Sequence, residues 1–172
     1  MKNKLDLPLR ARDIMSAPHV IALEKVVDEF KNIPIQFPEE TFGKLMKQKF
    51  DMIGKINEAY LKVTEYGSGK SIVRASMIKI EAIKKFVTEL RDFTPEGKDE
   101  KYLAAFKKDM VKQTEAILKD ANALTIEIRK TIEDKKVLTH DNVWFLSDKE
   151  KPIKFEYRYI YSGLTMDRAG KK

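Results

Sequence analysis

The stretch LAAFKKDMVKQTEAILKDANALTIEIRKTI, residues 103–132, decides the fold. Leu103, Phe106, Met110, Thr114, Ile117, Ala121, Leu124, Ile128 and Ile132 recur in it at steps of three or four, which gathers them into one stripe on a single long helix. Such a stripe needs other helices to cover it. With its flanks, the helix is expected from near Asp99 to Lys136, about 55 Å at the rise of an α-helix.

Upstream, two more helical patterns share that seam. One carries Ile72, Val73, Ile80, Ile83, Val87 and Leu90, opens after Gly67-Ser68-Gly69 with Ser68 or Ser71 as its cap, and ends at the turn Asp92–Gly97. The other starts at Pro38 with Glu39 and Glu40 in its first turn, where negative charge suits the helix dipole, and runs to about Tyr66. Its buried face is expected to hold Phe42, Leu45, Met46, Ile53, Ile56, Tyr60 and Val63. Ahead of it, Pro34 and Pro38 bracket Ile35-Gln36-Phe37, an extended linker whose two apolar residues can pack down. A shorter N-terminal helix is expected to open at Ser16-Ala17-Pro18 and to bury Val20, Ile21, Leu23, Val26, Val27 and Phe30. The fourth helix exceeds the third in length, so one of its ends must project or kink.

Beyond it the pattern changes. Thr139 to Leu146 fits a short helical turn, with Trp144 and Phe145 as an apolar plug against the end of the bundle, and Trp144 as a candidate partner contact as well. Ile153 to Tyr161 alternates like a strand, with Phe155, Tyr157, Tyr159 and Tyr161 on one face and Lys154, Glu156, Arg158 and Ile160 on the other. A single strand leaves its backbone groups unpaired, so this segment must fold on its own bundle, pair with a partner or a second copy, or order only when bound. Phe155, Tyr157, Arg158, Tyr159 and Tyr161 are therefore the further partner-binding candidates. The expected division is a helical domain over 1–147 and a C-terminal extension over 148–172, parted at Asp-Lys-Glu-Lys-Pro, residues 148–152.

The fold class that follows is all-α: an antiparallel bundle or helical-hairpin stack of three long helices plus an N-terminal helix, with an aromatic C-terminal extension. At 172 residues, one core of this kind needs no staple. Seven glycines, six prolines and 35% charged residues suit helices better than a sandwich of short strands. Without cysteine there is no disulfide, thiol nucleophile or cysteine zinc site. No run of about 18 apolar residues spans a membrane, and residues 1–12 lack the apolar core of a signal peptide. The chain as written is therefore expected in the cytoplasm, or in the cell envelope if it is excised from a longer precursor.

The net charge of +7 invites nucleic acid, but its distribution argues otherwise. Residues 38–66 hold five lysines against five acids, and residues 98–136 hold ten basic residues against eight acidic ones that mostly alternate along the helix. A solvated face laced with i, i+4 pairs looks like this, whereas a phosphate-binding groove needs clusters of one sign.

Three passages suggest chemistry and none sustains it. Gly67-Ser68-Gly69-Lys70-Ser71 resembles the end of a phosphate loop, yet Thr64 stands where the first glycine belongs and a helical pattern replaces the required strand. His140-Asp141 with Ser147 lacks a serine elbow. No Glu and His stand three apart as in di-metal bundles. No catalytic residue, cofactor or metal is expected.

The segments Phe37–Phe42, Tyr66–Lys70, Phe93–Lys98 and Asp141–Leu146 together are similar to the helical region that follows tetratricopeptide repeats in deltaproteobacterial envelope and gliding-motility scaffold proteins. The likeness covers about residues 35–147, and the repeat signature itself is missing from the chain. It implies a terminal part or close relative of a larger bacterial assembly protein and carries over no catalytic residue. The expected function is a non-enzymatic protein–protein interaction or scaffold module with an unidentified protein partner, self-association staying open. The alternative is a basic helical nucleic-acid-binding protein.

Overall fold

The computed structural model describes residues 7–137 and 139–146. They form five helices and, among the described residues, no strand: α1 (Leu9–Asn32), α2 (Glu39–Thr64), α3 (Gly69–Asp92), α4 (Glu100–Lys135) and α5 (Asn142–Leu146). The all-α architecture follows the sequence periodicity, and four of the helices are long.

Successive long helices run antiparallel. Ser68 reaches Asp13 and Ser71 reaches Ser16, so the end of α2 and the start of α3 lie beside the start of α1. Phe86, late in α3, meets Phe30, late in α1. The first three helices all touch one another, and α4 packs its backbone along α3 alone, with α5 laid over both. The fold is thus a three-helix bundle carrying a fourth helix on its central member. Leu23, Val27, Phe30, Ile56, Val63, Phe86 and Leu90 fill the three-helix core.

The long stripe behaves as its spacing requires: Met110, Thr114, Ala121, Ile128 and Ile132 are buried, while Leu103, Phe106, Ile117 and Leu124 are half-buried at its margins. Helix α4 overruns the end of α3 by several turns. Those turns do not stand free, because Phe106 meets Phe37 of the linker, Phe42 of α2 and Phe93 beyond α3 at centroid distances of 6.1, 5.3 and 6.2 Å. Phe37, expected together with Ile35 to pack down from the linker, is one of the three rings that cover the projecting end. Asp99 caps α4 by accepting from the Tyr102 N–H at 2.7 Å.

The N-terminal helix departs from expectation. It begins at Leu9, not near Ser16, is as long as α3, and takes Pro18 into its interior. Pro18 removes the N–H that would reach the Ile14 carbonyl, but Ile14 is 64% exposed, on a side where water can take over. Ser16 does not cap a helix; buried completely, its hydroxyl lies 2.8 Å from the Arg12 carbonyl and 2.7 Å from the Ser71 hydroxyl. Tertiary bonds hold the early turns that local sequence signals left out. Ile21, expected on the buried face, is exposed.

Candidate functional site

Where α1, α2 and α3 converge, the Gly67-Ser68-Gly69-Lys70-Ser71 passage makes a helix junction. Gly67 takes φ +65°, a conformation that favours glycine, and Ser68 then caps α3 by accepting from the Ser71 N–H at 3.1 Å. Ser68 also donates to Asp13 Oδ1 at 2.5 Å. Its hydroxyl is therefore engaged on both sides, and the passage serves as a clamp between α1 and α3. The preceding segment is the helix α2, as the helical spacing there indicated.

Next to this clamp, Arg74 on α3 donates to Glu24 on α1 at 2.8 Å and lies 3.7 Å from Asp141 ahead of α5. Both carboxylates and the hydrogen bond raise the Arg74 pKa, the Glu24 hydrogen bond most. Asp141 is thereby turned toward Arg74, while the neighbouring His140 is exposed.

The plug beyond α4 comprises Phe145 and Leu146, buried against Val73, Ile80, Ile128 and Ile132. Trp144 is half-buried, packs against this cluster and meets Phe145 edge to face at 4.8 Å. Of the six sequence-derived contact candidates, Trp144 alone is among the described residues; Phe155, Tyr157, Arg158, Tyr159 and Tyr161 lie outside them, as does Ser147.

Sequence reasoning missed Lys49. It occupies the core face of α2, 2% exposed, in step with Phe42, Met46, Ile53, Ile56 and Val63. Proline at position 34 has no N–H, so the Phe30 carbonyl lacks its ordinary intrahelical donor. Lys49 Nζ supplies one at 3.1 Å and sits over the Phe30 and Phe86 rings at 4.6 and 5.2 Å. Burial lowers its pKa, with Glu89 opposing weakly. The signal was a lysine at a stripe position, read together with Pro34.

Because the α4 backbone packs along α3 and not along α2, an open cleft remains between α4 and the later turns of α2, with α3 as the floor. Its volume is about 300 Å³, and Ile53, Tyr60, Leu61, Ile83, Ile117 and Ala121 supply apolar surface. Lys79 Nζ stands 4.6 Å over the Tyr60 ring, and Tyr60 Oη accepts from Ser76 at 3.1 Å. Desolvation lowers the Lys79 pKa against the pull of Asp120 and raises that of Tyr60. Leu61, at 59% exposure, marks the rim. On the opposite side of α4 a shallower surface of about 610 Å³ runs from Arg91 and Val111 past Leu118 to Ile126.

Among the described residues, no three His, Asp or Glu side chains gather as a metal site, and no helix is long and apolar enough to cross a membrane. No family model, curated protein or solved structure matches the chain, so none bears on the likeness to regions that follow tetratricopeptide repeats.

Proposed function

We propose that the chain is a non-enzymatic helical interaction module, built to receive an amphipathic helix of a protein partner between α2 and α4. The supporting observation is that the α4 backbone packs along α3 and α5 and not along α2, which leaves a cleft floored by the buried Ile53, Ile83 and Ala121, with Tyr60, Leu61 and Ile117 as its accessible apolar surface. A cleft of that form offers anchoring positions for a helix with apolar residues at i, i+3, i+4 and i+7. Lys79 and Asp120 place one charge of each sign beside the apolar floor and can fix the register of the guest. The module belongs, on this reading, to a larger bacterial assembly protein of the tetratricopeptide-associated kind.

Capture of partners by the immobilised chain, compared with Leu61→Glu, tests the assignment. Leu61 is exposed enough that the variant should keep its circular dichroism and melting temperature. The expected result is a protein retained by the wild-type chain and lost from the variant. Equal retention by both, or sequence-selective nucleic-acid binding that survives physiological salt, would overturn it.

A further inference from the structure

We infer that the surface of α4 facing away from α2 is the seat of the chain's own segment 153–161. The described chain leaves the fold at Leu146, which is buried in the cluster containing Ile128, and the exposed apolar surface begins at Ile126, level with Ile128 along α4 but about 200° round the helix from it. From Ile126 that surface continues past Leu118 to Val111, about 22 Å along the helix axis. Ile126 and Val111 are 69% and 46% exposed, although most large apolar side chains of α4 are covered.

The sequence after Leu146 has the length and pattern to cover it. Residues 147–152 reach at most about 20 Å as an extended tether. The rings of Phe155, Tyr157, Tyr159 and Tyr161 would repeat on one side over about 20 Å if the segment is extended, close to the Val111–Ile126 span. Lys154, Glu156, Arg158 and Ile160 would then face solvent and the Tyr hydroxyls would lie at the rim, the arrangement in which tyrosine contributes apolar area with a wet polar end. A tether this short holds the segment at an effective concentration in the millimolar range, so modest contacts suffice. A second copy or another protein would have to outcompete it. The inference deepens the interaction-module reading, since a self-docked tail leaves the α2–α4 cleft for the partner.

The absence of cysteine allows a single nitroxide to be placed at Ser162→Cys in the full chain. Paramagnetic broadening should reduce the signals of Val111, Leu118 and Ile126 by at least half, unchanged on dilution, and Ile126→Glu or Val111→Glu should restore them. Both sites are exposed, and melting curves confirm that the variants are folded. No broadening, broadening at Leu61 in place of Val111 and Ile126, or equal broadening when the labelled chain is mixed with an isotope-labelled chain lacking nitroxide would each overturn the inference. The last result would assign the surface to a second copy. Since the chain is measured alone, failure here leaves the Leu61 capture test standing, and failure of that test leaves the tail assignment standing.

Discussion

Lys49 shows how a single residue settles a local conflict in the backbone. Pro34 ends α1 but strips the Phe30 carbonyl of a donor, and the ammonium of Lys49 replaces it from the next helix. The Ile33 N–H also reaches that carbonyl, at 3.4 Å, so Lys49→Met would leave it partnered. Methionine keeps the volume and removes the desolvation of the charge, and the variant should be unchanged or more stable at neutral pH by up to about 2 kcal/mol. The pH dependence carries a definite sign. Burial lowers the Lys49 pKa, so just below the ordinary lysine value, about 10.4, the unfolded chain holds more protons than the folded one and stability rises with pH. Lys79 acts in the same direction and Tyr60 in the opposite one, so the difference between wild type and Lys49→Met is the quantity to measure. Urea titrations across that range should show a steeper rise in the wild type. Parallel curves would mean that Lys49 is not desolvated in solution.

At the scale of elements, the sequence was most legible where periodicity and burial coincide. The bounds of α2, α3 and α4 fall within about two residues of those read from spacing and caps, because each helix has a broad apolar face and a clear stop. Helix α1 was misjudged at its start because Ser16 and Pro18 look locally like a cap and a first turn, whereas their roles are set by Ser71 and by solvent. The pairing of the projecting end of α4 with Phe37, Phe42 and Phe93 was likewise hidden, since no local pattern says which rings meet across a bundle. The face of α4 can be checked directly. Ile128 is buried and Ile126 is exposed, only two positions apart. Ile128→Ala should cost about 2–5 kcal/mol, and Ile126→Ala within about 0.5 kcal/mol. Comparable losses in the two variants would show that α4 is rotated from the orientation described.

For the molecule as a whole, the decisive property is that α3 is shared. It touches α1, α2, α4 and α5, while α4 has only α3 and the small α5 along its backbone, plus the aromatic cluster at its first turns. Neither cleft beside α4 was legible in the sequence, because a helical stripe tells how much surface must be covered and not how many neighbours share the task. The arrangement predicts two cooperative units. Opening α4 and α5 uncovers Ile128, Ile132 and Phe145 and withdraws Met110 from the edge of the three-helix core, but Leu23, Val27, Ile56 and Phe86 keep their neighbours in α1–α3, so it costs less than global unfolding. Native-state hydrogen exchange should therefore find buried amides in the middle of α4 exchanging at least about tenfold faster than those in the middle of α3. Ile128→Ala should widen the gap, because it weakens the α4 unit and leaves the three-helix core untouched. If the α4 and α3 amides exchange with one common free energy, and that value falls equally in the variant, α4 is an integral part of a single four-helix unit.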